Sequence, residues 1–499
     1  MARSTRFLVS AVLATCMIPM LMPAEASAQV PSLPPTPPRD QWFAENDTGH
    51  WSDGTRVRVD EACRSLPEAE QAACSLDAFK EKPFVVIAFV DSGINPYHED
   101  FRAPEFTHHP SEFIEGFPDS AEAVPLSLDV ADSDGYEEAR AVDEDTLFGV
   151  ERNRLYWFPG TRIIGGYSAG NGGTGGGRTD FKVIDENGHG TGVASVAAGR
   201  FYGSNPNALI VMVEGLGGAS LEWATSQPWI DIVSNSWGYL GNVPLGSTEE
   251  TRAATRRGQT VAFAAGNGAT NTNSSTVFTA GGPIEDPCKC KTPDSNPSFT
   301  SQYGASWILN VGAISPINGQ AHWWHSIPVD VSSFGSKWRA AHAFGVTRED
   351  NRDFGGTSCA TPTTAGVLSS YIERARSEFN DTVGGQRPDQ AVAVFSEGGV
   401  VPQGGPLSDG VLTRLEAEEI VQKTAFPVDA DPEKITWDYA VRPTTPTFFV
   451  YQGYGVVDRN AKALGLKVLM GEEPMPVRSD VDTWQAQIDG VRDALWGEP

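Results

Sequence analysis

Five short apolar runs, rich in β-branched residues, constrain this chain most. They are Val85–Val90 (VVIAFV), Leu209–Val213, Ile230–Val233, Thr260–Ala264 and Ile308–Ala313. The first is apolar without a break, so it predicts a strand buried on both faces rather than one with a wet side, and the others resemble it. Helix-prone stretches are interspersed with them, notably Thr191–Ala198, Glu249–Arg256 and Pro362–Phe379. Thr413-Arg414-Leu415-Glu416 forms a capping box that predicts a helix to about Thr424. Strands alternating with helices predict an α/β chain with a parallel sheet covered by helices on both faces.

The flanks read differently. In residues 1–28, Arg3 and Arg6 precede the apolar run Phe7–Leu13, and Ala26-Ser27-Ala28 offers a small-x-small cleavage site. Pro19 and Pro23 break the run short of the about 18 apolar residues that a spanning helix needs. The segment therefore reads as a signal peptide cleaved after Ala28, giving a secreted protein with no membrane span after cleavage. Residues 29–82 read as an N-terminal arm that begins Pro-rich, with VPSLPPTPP at 30–38.

Charge limits the partners. The chain carries 64 Asp and Glu against 37 Lys and Arg, a net charge of −27. With no Lys/Arg cluster to form a basic face, this excludes nucleic acid as a partner. Part of the acidity is local. Asp119–Asp145 holds ten acidic residues and one basic one, and reads as a surface excursion within an insertion at about 100–160. Gly170–Gly177 contains a formal G-x-G-x-x-G, but β-prone residues follow it and no Walker lysine is present, so it reads as a glycine loop. Export makes disulfides an expectation, with Cys63 and Cys74 placed to close a local loop. Cys288-Lys289-Cys290 has no second Cys or His pair nearby to complete a zinc site.

Three segments share one design. Asp91 follows the first buried run, His189 lies in Asn187-Gly188-His189-Gly190-Thr191, and Ser358 lies in Gly355-Gly356-Thr357-Ser358-Cys359-Ala360-Thr361-Pro362. Each stands beside glycine at the edge of an element. A serine hydroxyl is a poor nucleophile without a base in contact, and that base needs a carboxylate to orient it. One Asp, one His and one Ser meet the requirement. A Ser just before a helix also places its hydroxyl near amides that favour developing negative charge.

These motifs resemble those of the subtilase (subtilisin-like) serine peptidases. Asp91-Ser92-Gly93-Ile94, Gly188-His189-Gly190-Thr191-Gly192 and Gly356-Thr357-Ser358-Cys359-Ala360 resemble the family's Asp, His and Ser motifs, in the subtilisin order. Ala264-Ala265-Gly266-Asn267-Gly268 resembles its oxyanion segment, and Ser234-Asn235-Ser236-Trp237-Gly238 its substrate-binding strand. Gly453-Tyr454-Gly455-Val456-Val457-Asp458 resembles its closing motif. The resemblance implies a three-layer, mostly parallel α/β domain over 83–466, followed by a tail at 467–499. It implies an exported endopeptidase acting on polypeptides through an acyl-enzyme. Ser358 would be the nucleophile, His189 the base, Asp91 its orienting carboxylate and Asn267 an oxyanion donor. Ser234, Ser236, Trp237 and Gly238 would contact the substrate. The chemistry requires no cofactor, and structural calcium is the one ion the resemblance brings with it. A silent binding protein on the same fold is the competing reading, and the oligomeric state is left open.

Two substitutions depart from the motifs. Cys359 stands where Met is more frequent, which predicts a buried thiol packed within the helix. Gly192 replaces a frequent His, with consequences only for local packing.

Overall fold

The computed structural model describes residues 80–130, 135–169, 183–237, 245–267, 307–317, 320–323, 329–335, 338–381, 390–426 and 453–478, with isolated positions beyond them. The signal-like segment 1–28, nearly all of the arm 29–82, the glycine loop 170–177, Gly238, and Cys63, Cys74, Cys288 and Cys290 lie outside the described residues.

The chain opens with β1 (Val86–Asp91), β2 (Ala123–Pro125), helices α1 (Tyr136–Val142) and α2 (Glu144–Phe148), then β3 (Leu155–Trp157) and β4 (Ile163–Ser168). Strict alternation follows: α3 (His189–Ala198), β5 (Leu209–Glu214), α4 (Gly218–Ser226), β6 (Ile232–Asn235), α5 (Leu245–Arg256) and β7 (Thr260–Ala264). After β8 (Leu309–Ile317), β9 (Gln320–Trp323) and β10 (Val331–Phe334) comes a hairpin of β11 (Trp338–Ala341) and β12 (Asn351–Phe354). The long helix α6 (Thr357–Phe379) is followed by the pair β13 (Ala391–Val394) and β14 (Val411–Thr413), then α7 (Arg414–Thr424) and α8 (Arg459–Leu469).

The central sheet runs β10-β8-β7-β6-β1-β5-β4-β3-β2, with β9 paired to β8. Its pairings are parallel except β3 with β4 and β8 with β9. Strand β1 lies in the middle, between β5 and β6, with both ladders occupied. Its side chains divide by parity. Ile87 and Phe89 join Val193, Val196, Val367 and Leu368 of α3 and α6 on one face. Val86, Ala88 and Val90 join Leu221, Ala224 and Ala254 of α4 and α5 on the other. This is why the run is unbroken: a strand with helices above and below has no wet side. Each fully buried Val, Ile or Phe contributes about 1.5–3 kcal/mol relative to exposure. The α/β expectation is met, and Asp91 comes to the carboxyl edge, where such sheets carry their sites.

The acidic stretch 119–145 differs from a free excursion. Among its described residues, Ala123 to Pro125 form β2, the last strand of the sheet path, and Leu126, Val130, Tyr136 and Ala139 are buried. The buried Asp143 carboxylate accepts hydrogen bonds from the Tyr97 hydroxyl (3.0 Å) and the Asp129 amide (2.8 Å). The few apolar residues therefore do the anchoring, while most of the charges face water. Among the described residues, no helix is long and apolar enough to cross a membrane.

The predicted capping box is present: the Thr413 hydroxyl accepts from the Glu416 amide, and α7 ends at Thr424. The start of α6 needs correcting. The helix begins at Thr357 rather than Pro362, so Pro362 lies inside it. Proline has no N–H and cannot bond the carbonyl four residues back, here that of Ser358. That carbonyl instead accepts from the Ser236 hydroxyl at 3.1 Å. A contact from β6's end thus replaces the missing helical bond.

Candidate active site

Asp91 ends β1 and is 1% exposed. Its Oδ1 accepts from the Ser92 amide at 2.8 Å, and its carboxylate faces His189 Nδ1 at 2.8 Å and 3.0 Å. The carboxylate can only accept, so Nδ1 carries the hydrogen and Nε2 of the neutral ring is left as an acceptor. His189 is the first residue of α3. The turns bearing these two residues pack backbone to backbone: a Cβ at Gly190 would lie 2.1 Å from the Gly93 carbonyl oxygen, so only glycine fits.

Burial disfavours the charged imidazole, but the Asp91 charge and hydrogen bond together with the Asp185 charge outweigh it, and the His189 pKa is raised. Arg352 acts in the opposite direction. Its guanidinium lies 5.8 Å from the centre of the Phe354 ring, and that ring meets the His189 ring edge-on at 5.4 Å. The Phe354 ring also accounts for Gly192, where a Cβ would fall 2.7 Å from Phe354 Cε2.

Ser358 is the second residue of α6 and 8% exposed. Its hydroxyl donates to the Ser236 carbonyl at 3.2 Å rather than to His189. The N-cap is Gly356, whose φ of 75° is a left-handed value that glycine adopts without strain. Asn267 stands beside this end, its Oδ1 accepting from the Thr357 amide (2.8 Å) and hydroxyl (3.0 Å). Two donors on the oxygen fix the orientation of the amide and leave its Nδ2 hydrogens for another partner.

The other segment divides in two. Ser234 is an interior residue of β6, held between β1 and β7 and 2% exposed, so its backbone is committed to the sheet. Ser236 and Trp237 follow the strand, with Trp237 edge-on to Phe263 at 5.7 Å. Gly238 lies outside the described residues. Cys359 is a free, fully buried thiol, and burial pushes its pKa far above the ordinary range, which suits packing and not attack. Among the described residues, no group of three or more His, Cys, Asp or Glu converges as a metal site.

Sequence reasoning passed over Asp185, the roles of Ser92 and Thr357 within their motifs, and Arg352. Asp185 lies four residues before His189, but only folding brings Ser92 to it. Nothing in the local sequence around Arg352 signals its position.

No curated protein matches the chain. Residues 83–385, more than half of its length, match the model of the Subtilase family. Together with the sheet order and the matched motifs, this settles the family: the chain belongs to the subtilases, a family of serine peptidases.

Proposed function

We propose that this protein is an exported serine endopeptidase that cleaves polypeptides through Asp91, His189 and Ser358. The observation that supports this best is the Asp91 carboxylate on His189 Nδ1 at 2.8 Å, together with Ser358 as the second residue of α6. In this reading the Ser358 hydroxyl turns from the Ser236 carbonyl toward His189 Nε2. Ser358 Oγ attacks the peptide carbonyl, and its proton passes to Nε2. Asp91 holds the tautomer and stabilises the imidazolium, while the Ser358 N–H and Asn267 Nδ2 receive the oxyanion. Collapse breaks the C–N bond, His189 protonates the leaving amine, and water releases the acyl group by the same proton path. Export would be directed by residues 1–28, with cleavage after Ala28, which N-terminal sequencing of the extracellular protein checks.

The test is hydrolysis of a peptide library and labelling by a serine-directed phosphonate, with and without residues 29–82. Ser358→Ala should abolish both. Labelling only after trimming indicates that the arm blocks the cleft. Undiminished hydrolysis by the Ser358→Ala protein would sink the assignment, and no labelling of either form favours the silent binding protein.

A further inference from the structure

We infer that Asp185 is a positioning residue for His189, a buried carboxylate that closes the amino end of α3 and ties the His189 turn to the Asp91 turn through Ser92. The inference rests on His189 acting as the base, as proposed above.

Asp185 is 0% exposed. Its Oδ1 accepts from the Ser92 hydroxyl (3.0 Å), the Asn187 amide (3.0 Å) and the Gly188 amide (2.7 Å). Its Oδ2 accepts from the Thr191 amide (2.8 Å) and hydroxyl (2.7 Å). The Ser92 hydroxyl in turn accepts from the Gly190 amide at 2.9 Å, and the Ser92 amide donates to Asp91. The two residues on either side of His189 are therefore all held by bonds that lead to Asp185, directly or through one hydroxyl. The Asp91 turn is held by the same bonds. Helix capping alone needs one or two acceptors. Five donors converging on two oxygens need a carboxylate, because an amide would turn one of its ends against them.

Charge gives a second reason. His189 stands at the amino end of α3, where the helix dipole opposes a cation. The imidazolium must nevertheless form during turnover. The charged groups facing it are Asp91 from β1, Asp185 from the segment before α3, and Arg352 from β12. Asp185 offsets both the helix end and Arg352, and it is among the groups that raise the His189 pKa.

Asp185→Asn, which keeps the outline but removes the charge and sets an amide N–H against some of the donors, tests this. Turnover per phosphonate-titrated site should fall on the order of 10²-fold, the cost of a misplaced base. KM should hold, since Asp185 is remote from bound substrate in this reading. The acid limb of kcat/KM should move to lower pH, because His189 loses a group that raises its pKa. A merely structural carboxylate would lower the fraction of active protein and leave the limb and the per-site kcat at parental values, which overturns the inference.

If Asp185→Asn does not fold, Ser92 decides. Ser92→Ala should lose about tenfold in kcat at constant KM, and Ser92→Thr should restore most of it. Parental kcat in Ser92→Ala overturns the bridge. Should the parent itself neither hydrolyse nor label, the peptidase reading has failed. The NMR titration of His189 then still tests this one: it should move to lower pH in folded Asp185→Asn, or, where that variant does not fold, lose its parental position in Ser92→Ala. An unmoved titration overturns the inference.

Discussion

Helices α3 and α6 begin alike and differ in what occupies that beginning, a carboxylate at one and a neutral amide at the other. Both have a glycine N-cap with positive φ and no side-chain cap of its own, and each carries a residue of the proposed triad within the first two positions, His189 and Ser358. At α3 the amino end is filled by the Asp185 carboxylate, which takes the Asn187, Gly188 and Thr191 amides. At α6 one amide, that of Thr357, is taken by the neutral Asn267 oxygen, and the Ser358 N–H has no partner among the described residues. In the proposed reaction, a resident anion suits the helix whose side chain would become a cation. An open, uncharged end suits the helix beside which an anion would form for an instant. The same helix start thus serves two chemistries, according to what occupies it.

The strongest way to break that contrast is to fill the open end. Asn267→Asp keeps an acceptor for Thr357 but removes the Nδ2 donor and adds a negative charge where the oxyanion develops. Turnover should fall by at least about 10²–10³-fold, the cost of losing one such donor, with Asn267→Ala less severe because it adds no charge. Parental kcat in Asn267→Asp would end the open-end account. Next in size is Gly190→Ala, which forces a methyl into the Gly93 carbonyl and wedges apart the two turns that Asp185 joins. It should cost about 1–3 kcal/mol in urea denaturation, with a further loss of activity in the folded fraction.

A smaller effect comes from the way α6 is held in place. With Pro362 unable to bond the Ser358 carbonyl, Ser236→Ala leaves that buried acceptor orphaned, at about 1–3 kcal/mol. Pro362→Ala supplies the missing N–H, so the cost of Ser236→Ala should shrink in that background. A double-mutant cycle by urea denaturation reads the coupling. Strict additivity would mean that the Ser236 bond is not a substitute for the helical one.

This bond also shows why part of the molecule could not be read from sequence. Pro362 looks like a helix start by the rule that proline favours the first turn, whereas the helix begins five residues earlier, where tertiary contacts from Ser236 and Asn267 hold its first turn. The buried strands were legible because burial on both faces leaves an unbroken apolar run. Strands β2 and β3, three residues each, were not, being too short to show a period. In the site, the Asp, His and Ser motifs were legible as residue types beside glycine. Asp185 was not: four of its bonds come from the local turn that runs to Thr191, which in sequence is an ordinary Asp shortly before Asn-Gly, and the one that ties it to the Asp91 turn comes from Ser92, far away in the chain. Ser234 shows the converse: a motif suggests a substrate contact where the sheet leaves no backbone free.

The smallest predicted effect tests the electrostatic side of the contrast. Arg352 packs over the turn at α3, with Nη1 2.9 Å from where a Gly188 Cβ would stand, and it forms no ion pair among the described residues. Its charge lowers the His189 pKa, against the rise produced by Asp91 and Asp185. Arg352→Gln should therefore raise that pKa further. A base must be neutral to accept a proton, so the acid limb of kcat/KM should move to higher pH, opposite to Asp185→Asn, with the plateau rate nearly unchanged. Stability should follow the same sign. A histidine whose folded pKa exceeds its unfolded value contributes stability that is fully present below the ordinary histidine range and lost as pH rises through the folded pKa. Arg352→Gln should enlarge that contribution and carry it to higher pH, as urea denaturation across the range can read. Limbs that move in the same direction in both variants would show that hydrogen-bond geometry, not charge, sets the base, and the two helix ends would then differ only in shape.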